Sequence, residues 1–488
     1  MLPKITAGSI YSTLGNNSSL VPLAIKDVAN SLGITAGSYV TGNKLESKDR
    51  FLDEFGTQSI WLFGLPVFKK ITDWTLYKAL KIDPKVDVRL LDTPEILDKA
   101  IELSPNVIKH GRNNATDILK NGLKGMKNNP KFSRNLALSK FAVATVLTIA
   151  SYNILTKYRH DQTKKAAERE ILSENGKKQK NLQKNFIDTY SFTKASMIDF
   201  TSSDKSFTAE NTQKNPSFTG AGDFAAKSVT ALKDFMNDPV RNLMIVDATI
   251  TTERLTSSRN TQELIGYTIK EGAFWAFMYL ASKPIQKWLE HRSAVKHNKS
   301  IDLDARVIES EDLRRSFANK AAFEKQMANF PIDKSDVEIY EFLHKNPDNI
   351  VVKMAKKSDE IPTLKTSDNW SNKLKKMLHL PYLEISDKDA IDTRRFIDIG
   401  NSEKKTGVRG IHTKLMNLYS QYLSSEEPLD DFLKSVKKHK RNAVRMNLGS
   451  CVSALGIAVP LVMIAVRYIG GNKDFQVKED LKKELTFK

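Results

Sequence analysis

Two groups of acids and arginines are the residues in this chain whose types could do chemistry. Asp27, Asp49, Arg50 and Asp53 fall early, and Asp247, Glu253, Arg254, Arg259 and Glu263 fall past the middle. Arginine beside carboxylate can grip a phosphate through a two-pronged fork, and acids lodged among apolar helices can line an ion path. Arg259 and Glu263 are four apart, so on a helix they share a face and can pair. The plainer reading is a solvated, salt-bridged helix face, and the spacing favours it. Asp27, Asp49, Arg50, Asp247, Arg254, Arg259 and Glu263 are the candidate polar cluster.

Other chemistry has no footing in the sequence. There is no G-x-x-x-x-G-K-[ST] phosphate loop and no G-x-S-x-G elbow. The eight histidines are scattered, and His291 and His297 have no acidic companion at helical spacing. No metal site is expected from such a set. The single cysteine, Cys451, excludes a disulfide framework, an Fe–S protein and a multi-cysteine zinc module. It sits in an apolar block that disfavours a thiolate, so a packed small hydrophobe is expected. No cofactor is expected and no catalytic residue can be named, so a non-enzymatic role leads.

The elements around the cluster are apolar blocks in an otherwise polar chain. Met446–Val466 is 21 residues without a charge, about the hydrocarbon thickness of a bilayer when helical. Phe141–Thr156 is 16 uncharged residues, or 22 with Asn135–Lys140 if Lys140 reaches the headgroups. Phe55–Phe68 and Gly272–Ser282 are shorter, at 14 and 11 residues. Blocks of that length suit interfacial, re-entrant or buried segments, and their aromatics lie beside Lys69, Lys70 and Lys283. Gly449 and Ser453 form a small-xxx-small pair that could admit a second helix. Met1–Gly37 lacks the basic start and apolar stretch of a signal peptide, so internal helices would do the targeting.

The chain also reads as a duplication. Trp61 and Trp74 lie 13 apart, as do Trp275 and Trp288, and the two 14-residue windows share Trp, Phe, Lys, Ile and Trp at matching positions. Downstream, Asp87-Val88-Arg89 resembles Asp304-Ala305-Arg306, most simply as paired caps or ion pairs. Duplicated membrane folds often hold a site between their repeats. Residues 106–140 carry eight Lys/Arg and one acid, and 434–445 carry six Lys/Arg and no acid. Both long spans are therefore entered from a basic, cytoplasmic side. Like orientation needs an odd number of crossings between them, which gives four and would oblige Lys270 and Glu271 to pair or to face protein; the competing model makes both short blocks re-entrant and leaves two spans of opposite orientation.

The expected fold class is mainly α: a helical membrane protein with two weakly similar repeat units and a helical extramembrane module. The expected layout is a tail at 1–20, then a first repeat unit at 21–158 with its span near 136–156. A polar linker at 159–239 follows, then a second unit at 240–310, a helical cytoplasmic module at 311–440, a span at 441–470 and a charged tail at 471–488. Ser335 with Glu338, Ser424 with Glu427, and Thr93-Pro94-Glu95 mark expected helix starts. The net charge of +19 fits insertion topology and anionic lipid. Basic runs without interleaved aromatics do not point to nucleic acid. The expected setting is a bacterial inner membrane, with anionic lipids as partners and a homo-oligomer allowed. The leading reading is a structural or scaffold protein holding lipid through its basic flanks. A small transporter or channel with its site between the repeats is the alternative, and an enzyme acting on a lipid-linked phosphate is a third.

Overall fold

The protein is described by a computed structural model over residues 6–16, 19–41, 44–111, 115–189, 238–364, 377–378, 380–385 and 389–469, with positions 375 and 482. It is mainly α-helical. Helices α1 (Ala7–Gly15), α2 (Leu20–Val40) and α3 (Lys44–Ser59) open the chain. A π-turn at Ile60–Gly64 carries α3 into α4 (Leu65–Thr72), and a second π-turn follows at Asp73–Tyr77. Next come α5 (Pro94–Glu102), β1 (Val107–His110), β2 (Ala115–Asp117), α6 (Ile118–Asn128) and the long α7 (Pro130–Thr189).

After residues 190–237, α8 (Pro239–Thr256) and α9 (Thr261–Phe274) form a hairpin. A π-turn at Trp275–Leu280 leads into α10 (Ser282–His297). The short helices α11 (Ala305–Ile308), α12 (Glu311–Ala318), α13 (Lys320–Ala328), α14 (Asp336–Lys345) and α15 (Ile350–Lys357) precede β3 (Tyr382–Ile385) and α16 (Gly407–Ser424). Finally α17 (Leu429–Ser453) passes through a π-turn at Ala454–Ala458 into α18 (Val459–Ile469).

Local chemistry sets several boundaries. Asp238 caps α8 ahead of Pro239, and Asn260 accepts from the Glu263 amide to cap α9. Ser335 and Glu338 form the expected capping box of α14. The Ser424–Glu427 box does not form. The α17 helix begins at Leu429 behind Pro428, and Glu427 instead pairs with Lys299 at 2.8 Å. Asp87 accepts from the Arg89 amide and Asp304 from the Arg306 amide, and each acid also pairs with that arginine's side chain.

The elements form two bodies. One is a module with an apolar core that includes Phe323, Leu343, Val351, Leu415 and Phe432. It reaches beyond the expected 311–440, because Leu90, Leu97 and Leu123 from the first half belong to the same core. The antiparallel sheet β2-β1-β3 ties the halves together, with Val107 opposite Ile385. The expected N-terminal tail contributes α1, whose Ser12 donates to Asp304. The expected linker starts late, because α7 runs to Thr189. The remainder of that linker, 190–237, and most of the tail at 471–488 lie outside the described residues.

The second body is a bundle of α2, α3–α4, α7, α8, α9–α10 and α17–α18. The two short apolar blocks of the sequence lie in the continuous helices α3–α4 and α9–α10. Ala29, Gly33 and Gly37 recur every four residues along α2. A methyl group on Gly33 would lie 2.2 Å from the Gly456 carbonyl oxygen, so only glycine permits this backbone contact. Open space surrounds Gly449, so the expected small pair with Ser453 is not where helices meet.

Side-chain pairings fix the helix directions. Thr163 meets Asp49, Arg159 meets Asp53, and Ala144 clusters with Leu65, so α7 runs antiparallel to α3–α4. Ala144 also clusters with Val246 and Ile250, and Tyr152 meets Arg254, so α7 and α8 run parallel. The chain therefore leaves α7 at the opposite end of the bundle from where α8 begins.

The bundle's outward surface is apolar. On α2, Val21, Ile25, Val28 and Leu32 form one exposed stripe at helical spacing, and Phe63, Val67, Ile71, Val146, Ile154, Ile457 and Leu461 are exposed on neighbouring helices. Two helices, Pro130–Asn175 and Leu429–Ile469, are long and apolar enough to cross a membrane, and 22% of the apolar window of each is buried inside the protein.

Candidate functional site

The bundle interior is where the charges lie. All seven residues of the candidate cluster are there, joined by partners from both halves of the chain. At the end near the start of α3, Asp49 accepts from Thr163 at 2.5 Å and pairs with Arg259 at 2.8 Å. Arg259 also pairs with Glu263 at 2.7 Å, as the spacing of four predicts. One turn along α3, Asp53 meets Arg159 at 3.2 Å and Arg254 at 3.4 Å. Arg159 donates to the Tyr267 hydroxyl at 2.7 Å.

The middle of the column belongs to Arg254, Lys270 and two glutamates. Arg254 pairs with Glu271 at 2.6 Å and donates to Tyr152 and Thr57. Lys270 pairs with Glu54 at 2.7 Å and Glu271 at 3.3 Å. Lys270 is 1% exposed. An ammonium so buried is tolerable only because two carboxylates neutralise it.

Beyond them lies a small cavity of about 20 Å³, lined by Asp27, Asn30, Gln58, Trp61, Asp247 and Lys270 among others. That volume accommodates roughly one water-sized particle. Asp247 accepts from the Trp61 indole at 3.0 Å and from the Tyr279 hydroxyl. Among the described residues Asp27 has no ion pair. Asn30 is 0% exposed, and neither its carbonyl oxygen nor its amide nitrogen has a hydrogen-bond partner. An amide buried without partners costs about 1–3 kcal/mol.

Two of the π-turns adjoin this cavity, one through Trp61 on its wall and one that begins just after the lining residue Phe274. Trp61 lies in one, and Trp275 opens another. The Lys26 ammonium reaches the Phe277 and Met278 carbonyls at 3.5 Å, which the wider turn leaves available. Trp275 donates to Thr251 at 3.1 Å, so the two matched tryptophans both anchor to α8.

The sequence placed Lys270 and Glu271 at a position where pairing would be required, and they pair. Asp53 belonged to the early group of acids but not to the candidate cluster, and Glu54 to neither, yet both are buried in the column. Arg159, Tyr152, Tyr267, Asn30 and Gln58 carried no signal beyond being polar residues inside otherwise apolar helical stretches. Cys451 is fully buried beside α2, as expected of a small hydrophobe. Among the described residues no group of three or more His, Cys, Asp and Glu could hold a metal ion. Comparison with known proteins finds no matching family, no similar curated protein and no similar solved structure.

Proposed function

We propose that this chain is an integral membrane protein of two three-helix units, and that it passes a small cation or proton along the polar column between them. Three features support the membrane setting: the outward apolar girdle, the two helices long enough to cross, and charges gathered inside. Hydrocarbon tolerates ionisable groups only where protein partners neutralise them. Two features support the repeats. Each half runs helix, helix with a π-turn at a tryptophan, Asp-x-Arg cap, then long helix. Each first helix packs on the long helix of the other half, α2 on α17–α18 and α8 on α7.

The observation that carries the functional reading is the cavity between Asp27 and Asp247, with the unpartnered Asn30 amide on its wall. It is too small for an organic substrate and furnished for one hydrated proton or small cation. The test is reconstitution into liposomes with a pH-sensitive dye inside and imposed proton, sodium or potassium gradients. Flux is expected for the native protein, with about a tenfold loss or more in Asp27→Asn and Asp247→Asn. Absence of flux for all three ions, or flux untouched by both substitutions, would contradict it.

The parallel course of α7 and α8 favours a second reading. Residues 190–237 must connect opposite ends of the bundle, and their longest uncharged run is eight residues, Asn215–Gly222. A bilayer crossing takes about 20 apolar residues. In this reading the girdle is covered by further copies of the chain, and the protein is an oligomeric scaffold. Carbonate extraction separates the two: retention in the pellet supports the membrane reading, and release as a large soluble assembly supports the scaffold.

A further inference from the structure

Beside the polar column lies a second, larger cavity of about 430 Å³, bounded by α2, α3, α9 and α18. Its wall is mostly apolar, with Ile34, Ile269, Met463 and Ile464 along its length. Its polar end holds Arg50 and the Arg467–Glu46 ion pair. Arg50 is the unusual member. It is 5% exposed, no carboxylate forms an ion pair with it among the described residues, and its Nη1 has no hydrogen-bond partner. Its guanidinium lies over the Tyr267 ring at 5.0 Å, which holds its plane. The acids around it are engaged elsewhere: Asp49 and Glu263 with Arg259, and Glu46 with Arg467.

A glycine makes the room. A methyl group on Gly266 would be 3.6 Å from the Arg50 guanidinium and 3.6 Å from the Met463 terminal carbon. Any longer side chain there would enter the cavity between its charged end and its apolar wall.

The geometry points to a binding site for an anionic amphiphile with one acyl chain: a carboxylate or phosphate head on the free Arg50 donor and the chain along Ile269 and Met463. A guanidinium forks onto either head, so the shared chemistry is an oxyanion on an alkyl tail. A hydrocarbon chain fits an apolar trench of this volume, and a bare anion leaves that trench empty. This differs from attraction of lipid to the basic flanks, since Arg50 is buried between helices. It also stands apart from the ion-path reading, whose cavity is lined by different residues.

The test uses the full chain, purified in a neutral detergent and stripped of lipid, with binding read by calorimetry. Four ligands separate head from tail: a C16 carboxylate, a C16 alkyl phosphate, the C16 alcohol and inorganic phosphate. Both anionic amphiphiles are expected to bind one per chain, the alcohol about tenfold more weakly, and inorganic phosphate not detectably. Preference for the carboxylate would identify a fatty-acid site, and preference for the alkyl phosphate a phospholipid-like one. Arg50→Gln is expected to remove about tenfold for the anions and leave the alcohol unchanged. Gly266→Leu should weaken all three amphiphiles and spare the Arg50 contacts. Equal affinity of acid and alcohol for the native chain, or unchanged acid binding in both variants, would overturn the inference. The native-chain comparison and Gly266→Leu keep it decidable if Arg50→Gln does not fold.

Discussion

The module and the bundle solve opposite problems. In the module Phe323, Leu343 and Val351 are fully buried, and ion pairs such as Arg314–Asp430 sit on the surface. In the bundle Asp53, Arg254, Lys270 and Glu271 are buried, and Val146, Ile154 and Leu461 face outward. Arg314–Asp430 and Arg254–Glu271 have the same 2.6 Å separation. What differs is the surrounding medium: water screens the first pair, and only protein stands around the second.

The sharpest way to break this contrast is to remove one partner from each pair. Arg254→Met leaves Glu271 and Asp53 short of a counter-charge in the interior, and should cost about 3–5 kcal/mol. Guanidinium unfolding of the detergent-solubilised chain, followed by the fluorescence of Trp61 and Trp275, measures it. Arg314→Met should leave the module's midpoint unchanged, because both ends of that pair are open to water. Equal losses from the two would erase the distinction.

Within the module, Leu343→Ala should cost about 2–5 kcal/mol, the ordinary consequence of a core cavity. An Asn30→Leu substitution in the bundle should do the reverse and stabilise by about 1–2 kcal/mol, since it replaces an unsatisfied amide with an apolar group. The same variant should lose ion flux. A stabilised but inactive protein would mark Asn30 as retained for function at a cost in stability.

The module should also show a pH dependence. Burial in the module pushes His344 down to about 4, with Lys356 adding to the same direction. The unfolded chain takes up a proton near 6.5 that the folded module accepts only near 4. Stability therefore falls as pH drops from 6.5 to 4 and is complete above that window. The loss should be about 2 kcal/mol for this half-buried ring. His344→Gln should flatten the profile over that interval, and an unchanged slope would show that other groups set it.

The helical class, the helix start at Thr93-Pro94, the box at Ser335–Glu338 and the Asp-x-Arg pairs were legible because each is a local signal over three or four residues. The candidate cluster was legible as residue types but not as a buried column. Asp27, Asp53, Arg254 and Lys270 lower the hydropathy of the very helices they fill, so α2, α3, α8 and α9 do not read as bundle helices with an apolar outer face. Ala29, Gly33 and Gly37 were missed for a related reason: a small-residue stripe has meaning only beside Gly456, over 400 residues away. The Ser424–Glu427 box was misread because the helix takes its N-cap at Pro428, four residues beyond Ser424.

The most direct test of the inverted bundle is carbene photolabelling from within the hydrocarbon, using a lipid-dissolved diazirine on membranes containing the full chain and mapping adducts by mass spectrometry. The inverted arrangement predicts adducts on Phe63, Val67, Val146, Ile154, Ile457 and Leu461, and none on Leu343 or Phe323. A girdle free of adducts would mean that protein, not lipid, covers those side chains, and would contradict it.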